Sequence, residues 1–450
     1  MMNRTKILTL LLTLSSGLLT TSCQFAQEDF FDEGAAQRII HFNEDLQKRL
    51  VEQSSGTNEG WIIQYFVADA LIEGFNLFGR FEASGKVTLA SDHRYLRNGQ
   101  AGQYTESAST YEMLAEEGPV LSFNTWNDVL TVFEDPVSPS SAPGQLVNDG
   151  AGMYGDHNLV FVGYKGNNIL FRGERSEAEV RLVPCDRPWQ TYITDVANLK
   201  ARITNTAITD YYLIVGTDTM YYSNLRSGVI LRVDRLDAPL DEQVLSCLFT
   251  DKGFLLNTAD NLSDHSFQEF TLTDDESQLV SEDGAAQVVP MWDTYIHKHT
   301  AVWTLNKESF TDEQQALAAR IDAALTVSNP QRSLASIGLG KSSGGNAVLG
   351  LVVTFYTDYA KTKTNTIGLA LKYTRTALGE VTISALGDTT KDMDKNMQNL
   401  SARSADLEGA VRDFSATLFG TYTMTPDDYF LPTQAVYTSL TDGSRFEAKK

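Results

Sequence analysis

Between Trp61 and Leu182 no helical period interrupts a succession of short apolar runs, and this narrows the folds open to the chain more than any other feature. The runs WIIQYF (61–66), FNLF (75–78), GKVTLA (85–90), GPVLSF (118–123), NLVFVG (158–163) and NILFR (168–172) are rich in β-branched and aromatic residues and are bounded by turn formers. Such runs suit a pleated, half-buried surface, and short turns return successive strands antiparallel. A sheet with one apolar face must find a second layer or close on itself. The expectation is an antiparallel sandwich or open-barrel domain over 33–188. It opens with one amphipathic helix, in which Ala35, Ile39, Phe42, Leu46 and Leu50 share a face. The polar stretch from Glu134 to Gly144, running on to Asp149 and Gly150, has similar strands on both sides and reads as a loop inside that domain.

From Trp189 onward the pattern is mixed, and residues 189–450 read as a second, β-rich domain beginning just after PCDRPW (184–189). Strands are expected around 211–215, 227–233, 243–249, 253–256, 347–355, 366–373 and 380–384. Helices are expected near 311–326, where Thr311 and Gln314 form a capping box, and near 391–414, where Ser404 interrupts the apolar stripe. The fold class is thus mainly β with a few helices, a β-rich α+β chain, and no internal repeat is evident. The chain of 450 residues is longer than one core usually serves, which agrees with two domains.

The N-terminus is organised for export. Arg4 and Lys6 precede an apolar run from Ile7 to Leu19, and Thr20-Thr21-Ser22 end it with small residues. That run is shorter than the about 20 residues a membrane-spanning helix needs. Leu19-Thr20-Thr21-Ser22-Cys23 resembles a bacterial lipobox, with residues 1–22 as a lipoprotein signal peptide, Cys23 as the acylated residue and 23–32 as an acidic tether. Several acyl chains on Cys23 would hold the protein to a membrane without spanning it. A net charge of −22 repels phosphate backbones and disfavours nucleic acid as a partner. Cys185 and Cys247, the other two cysteines, form no CxxC pair. Outside the cytoplasm they are candidates for a disulfide, with two separate core thiols as the alternative.

No residue set identifies a reaction. His297 and His299 are the best metal candidates: on a strand, residues two apart face one side, and His265 or Asp293 would supply a third ligand. Two exposed histidines in a strand or loop remain the simpler reading. ASIGLGKS (335–342) lacks the first glycine of a phosphate-binding loop and reads as a turn before a strand. Asp392, Asp394 and Asn396 begin like a calcium loop, but Met397 stands where that loop needs glycine. A calcium turn at 260–264 is a further weak candidate. No GxSxG occurs, and the 58 acids single out no catalytic pair. No cofactor is expected. Trp126, beside Asn127 and Asp128, and Trp189, beside Asp186 and Arg187, are candidate platforms for sugar rings, whereas Trp61 beside Ile62 and Ile63 reads as core.

Collinear landmarks run through the chain: EDFFD (28–32) leading into an Arg-containing helix, Glu59-Gly60-Trp61 followed by Tyr65, FEASGKVT (81–88), GPVLSFNTWN (118–127), GMYGD (152–156) and FGTY (419–422). In their order and spacing they resemble the Bacteroidetes-type lipoproteins of domain-of-unknown-function family 4302. The resemblance implies a lipoprotein of the outer membrane, often encoded beside starch-utilisation-type uptake systems, and thus a transporter complex of that kind as partner. Acids after the lipidated cysteine also look like an export signal for the cell surface, with a periplasm-facing anchor as the alternative. The functional expectation is a non-catalytic accessory or ligand-binding component of an outer-membrane nutrient-uptake system, for glycan or peptide. The alternatives are a structural or adhesion-type surface protein and a secreted hydrolase, either a glycosidase or a metal-dependent enzyme.

Overall fold

The computed structural model describes residues 35–68, 71–97, 100–116, 118–137, 152–204, 207–298, 301–388 and 391–450. The chain is mainly β, with all named strand pairs antiparallel, and forms three β units in series. The first opens with helix α1 (Ala35–Gln53), which turns Leu46 and Leu50 fully inward. Nine strands follow: β1 (Trp61–Tyr65), β2 (Phe75–Phe81), β3 (Lys86–Ser91), β4 (Thr105–Thr110), β5 (Glu112–Ala115), β6 (Pro119–Ser122), β7 (Asn158–Lys165), β8 (Asn168–Gly173) and β9 (Glu179–Pro184). They make one sheet in the order β4-β3-β2-β1-β9-β8-β7-β6-β5. Its edges, β4 and β5, are joined in the chain by the single residue Tyr111, so the sheet is rolled until the two edges meet. This is the open-barrel form expected from the strand pattern. Because β6 pairs with β7, the chain on either side of the expected loop belongs to one sheet, while residues 138–150 of that loop lie outside the described residues.

Strand β1 lies beside the central strand β9, and every one of its residues is buried. Trp61, Ile63 and Tyr65 point into the roll, where they meet Leu50, Leu77, Phe133 and Leu182. Trp61 is core, as read from its neighbours, and its Nε1–H donates to the Leu50 carbonyl at 3.1 Å. Ile62 points outward and is covered by helix α2 (Trp189–Ile203), together with Phe78, Cys185 and Tyr192.

The expected single second domain is two closed barrels of eight strands each. The first runs through β10 (Asp210–Val215), β11 (Asp218–Ser223), β12 (Val229–Val233), β13 (Glu242–Phe249), β14 (Gly253–Leu262), β15 (His265–Leu272), β16 (Leu279–Ser281) and β17 (Ala286–Pro290). β17 returns to pair with β10, Tyr211 opposite Pro290. An eight-stranded barrel is just wide enough for side chains to fill, and Tyr222, Cys247, Phe254, Phe267 and Phe270 fill this one. Helix α3 (Trp292–Lys298) leads to the second barrel.

That barrel consists of β18 (Trp303–Leu305), β19 (Ser333–Lys341), β20 (Leu349–Tyr356), β21 (Thr364–Ala377), β22 (Glu380–Ala385), β23 (Gly420–Pro426), β24 (Gln434–Ser439) and β25 (Arg445–Lys449), closed by β18 against β25. Helix α4 (Asp312–Ser328) starts with the expected capping box between Thr311 and Gln314. The helical stretch expected at 391–414 is two helices, α5 (Lys395–Ser401) and α6 (Leu407–Ala416), parted around Ser404. Residues 335–341 lie in strand β19, where a turn was expected. A side chain at Gly338 would meet the Trp303 carbonyl oxygen at 2.6 Å, so glycine here serves close strand approach.

Candidate functional site

A cleft of about 480 Å³ opens where the outer face of the rolled sheet meets the first closed barrel. Strand alternation explains its chemistry. On β1, Ile63 and Tyr65 face the core, which turns Gln64 outward. On β9, Val180 and Leu182 are core residues, which turns Arg181 outward. Gln64 and Arg181 are cross-strand partners and stand side by side. Phe66, just past β1, packs on Leu248 and Leu255 of the barrel and forms the floor.

The polar groups of the cleft are largely paired across the junction. Arg181 is buried, and its Nη1 donates to Glu269 Oε2 at 2.8 Å. Lys165 reaches Glu282 at 2.7 Å. Gln268 Nε2 donates to Glu179 Oε2 at 2.9 Å and to the Leu256 and Asn257 carbonyls, both at 3.1 Å. Gln64 Oε1 differs: it is buried and has no hydrogen-bond partner among the described residues. An unmet buried acceptor costs about 1–3 kcal/mol, so this oxygen is the unsatisfied polar atom among the cleft's described lining side chains. Backbone and side-chain bonds hold the two walls together, with Gly74 N donating to Cys247 O at 3.0 Å and Asn76 Nδ2 to Phe249 O at 2.8 Å.

The residues singled out in the sequence fall elsewhere. Trp189, expected as an exposed platform, is 3% exposed and begins α2. Its indole N–H donates to the Glu59 carbonyl at 2.6 Å, Phe78 stacks on it at 5.7 Å, and the Arg80 guanidinium covers it at 4.2 Å. Trp126 is 50% exposed, with its N–H on Asp128 Oδ1 at 2.7 Å and Arg97 above its ring at 5.6 Å, but it does not line the cleft. Cys185 and Cys247 are separate buried thiols in different clusters, so the disulfide considered for them is not formed. Burial raises the pKa of both.

His297 is buried on helix α3, neither exposed nor on a strand, so strand alternation does not apply to it. His299 lies outside the described residues, as do Cys23 and the acids at 28–33. Among the described residues no group of three or more His, Cys, Asp or Glu side chains is placed to share a metal ion. Asp260, a weak calcium candidate, is buried against Arg232 and accepts the Tyr222 hydroxyl at 2.7 Å. Asp394 caps α5, accepting Met397 N–H at 2.8 Å. No helix among the described residues is long and apolar enough to cross a membrane.

The landmark residues of the first unit prove to be scaffold. Asp156 is buried and accepts the backbone N–H groups of Arg175 at 3.1 Å and Ser176 at 2.8 Å, bracing the turn before β9. Tyr65 Oη donates to Asp156 O at 3.1 Å and accepts from Asp156 N at 2.7 Å. Asn127, fully buried, ties the segment after β6 to Ser107 and Ser109 of β4 at 3.1 and 3.0 Å.

In comparisons with known proteins, the family model described as Domain of unknown function (DUF4302) matches residues 27–274. The match spans the rolled sheet and most of the first closed barrel, including both walls of the cleft, and ends before FGTY (419–422). No curated protein matches the chain. Among solved structures, the beta chain of DNA polymerase III from Streptococcus pneumoniae TIGR4 aligns at 10% identity, covering 91% of this chain and 97% of that one, with a TM-score of 0.11. A score that low carries no argument about fold.

Proposed function

Since this chain belongs to the family described as Domain of unknown function (DUF4302), we propose that it is a binding protein whose ligand occupies the cleft between the rolled sheet and the first barrel. The observation that carries this reading is Gln64 Oε1, a buried acceptor without a partner among the described residues, on a residue that lines a cleft whose Arg181 and Lys165 are ion-paired. A neutral polyhydroxylated ligand fits that chemistry: hydroxyls donate to Gln64, and apolar C–H faces lie against Phe66 and Phe161. An oligosaccharide is therefore favoured over a peptide. Glu179 is the one carboxylate among the described lining residues, and Gln268 holds it. Glycoside hydrolysis ordinarily employs two carboxylates, which supports binding rather than bond cleavage.

The setting we propose is a lipoprotein, acylated at Cys23 and held at the cell-surface face of the outer membrane, that serves a nutrient-uptake transporter of the starch-utilisation type. The support is the sequence of residues 1–33. The cleft is tested by titrating the purified chain with a panel of neutral oligosaccharides and with peptides, using calorimetry. At least one oligosaccharide is expected to bind, and Gln64→Leu is expected to weaken it about tenfold. Binding of peptides alone, binding unchanged in Gln64→Leu, or no binding by any member would refute the proposal.

A further inference from the structure

Helix α3 crosses the end of the second closed barrel and leaves beneath it a cavity of about 190 Å³. Its walls are apolar: Leu371 from β21, Val381 from β22, Met424 from β23 and the ring of Tyr373. His297 closes the inner side. Its ring lies 4.7 Å from the Tyr373 ring, and its Nε2 is 2.9 Å from Met424 Sδ. Burial pushes the His297 pKa down to about 4, so the imidazole is neutral near pH 7.

The charges at the rim are spoken for. Arg375 Nε donates to Asp293 Oδ2 at 2.8 Å, while Asp293 Oδ1 accepts the Tyr212 hydroxyl at 3.1 Å. Glu380 accepts from Thr376 Oγ1 at 3.3 Å. Tyr373 Oη stands apart: it is buried, its residue lines the cavity, and it has no hydrogen-bond partner among the described residues. A buried hydroxyl normally finds a partner, and an apolar cavity of about 150 Å³ already accepts benzene. This cavity is therefore large enough for one ring with a substituent.

We infer that the cavity under α3 is a second small-molecule site, which takes a neutral single-ring compound carrying one hydroxyl or carbonyl oxygen. The ring lies against Leu371, Val381 and Met424, and the oxygen bonds to Tyr373 Oη. The site shares no residue with the oligosaccharide cleft, so each stands or falls by its own variants.

The test is fluorine NMR of the full chain with 4-fluorophenol and with fluorobenzene. Saturable binding of 4-fluorophenol is expected, weakened about fivefold to tenfold by Tyr373→Phe. Fluorobenzene should bind the wild type and Tyr373→Phe alike. Leu371→Trp fills the cavity and should abolish binding of both probes. Circular dichroism checks that this variant folds, and Val381→Phe replaces it if it does not. The inference is overturned by absence of saturation up to about 10 mM 4-fluorophenol. Wild-type affinity in Tyr373→Phe, or in a folded cavity-filling variant, overturns it equally.

Discussion

Two histidines sit where water cannot solvate a charge. His93 is buried beside Phe75 and Phe133, with Nε2 on the Val129 carbonyl at 2.9 Å and Nδ1 accepting Tyr95 N–H at 3.2 Å. Burial pushes both His93 and His297 down to about 4 from the ordinary 6.5. Below 6.5 the unfolded chain takes up protons that the folded chain refuses, so stability falls as pH drops. It is fully present above about 6.5 and declines towards about 4, by at most about 1.4 kcal/mol per pH unit for each histidine. Urea unfolding between pH 6.5 and 5, above the range where ordinary carboxylates titrate, should show this slope. His93→Gln combined with His297→Gln should flatten it.

Asp293 belongs to the same scale. It is buried, and it accepts hydrogen bonds from Arg375 of the second barrel and Tyr212 of the first. Removing it leaves the Tyr212 hydroxyl with Thr294 Oγ1 at 3.0 Å, whereas Arg375 loses its anion. Because the Arg375 side chain is 42% exposed, water compensates in part. Asp293→Ala should cost about 2 kcal/mol, read as a lower urea midpoint.

Helix α2 shows what an element costs when its context is misread. Trp189, Tyr192, Ile193, Val196, Leu199 and Ile203 recur at helical spacing directly after Pro188, a legible signal. The polar neighbours Asp186 and Arg187 make the helix's first residue, Trp189, resemble an exposed sugar platform instead. The two tryptophans therefore make a direct contrast. Trp189→Ala should lose about 3–5 kcal/mol, as for other large-to-small core changes, while Trp126→Ala should stay within about 0.5 kcal/mol. Urea unfolding of the two variants checks both.

Elsewhere, legibility followed the strength of the local pattern. β1, β2, β3, β6, β7 and β8 coincide with short apolar runs bounded by turn formers, whereas β4, β5 and β9 match none of those runs; α1 and α4 carry an apolar stripe and a capping box. Strands such as β16 and β18 are three residues long, too short for any period, and exist only because their neighbours pair with them. The stretch HKH (297–299) is too short to show a helical period; the helix at His297 is set by Trp292, Tyr295 and Ile296 packing between the barrels.

At the scale of the molecule, no sequence repeat announced that helix-and-eight-strand units recur. Barrel closure depends on pairs such as Tyr211 with Pro290, which lie far apart in the chain. The cleft was equally hidden: Gln64 and Arg181 meet through the pairing of β1 with the distant β9, Gln268 joins them only through the docking of two units, and no local motif marks them. The proposed anchor has the opposite character, being written wholly in a short N-terminal stretch. Cys23→Ala is expected to move the protein from the membrane fraction to the soluble fraction or leave it uncut. Replacing Glu28, Asp29 and Asp32 with Ala should lower protease accessibility on intact cells.

The pairing of Tyr211 with Pro290 has one more consequence. Paired residues on antiparallel strands have Cα atoms about 4.5–5.5 Å apart, so the chain leaves the first closed barrel beside the point where it went in. To the segments before and after, this barrel is a side branch with no net displacement. Lengthening one of its exposed turns, at Gly216 or at Ser263 and Asp264, shifts neither α2 nor α3 along the path of the backbone. Those turns are accordingly places where the chain can lengthen while keeping the same arrangement around them.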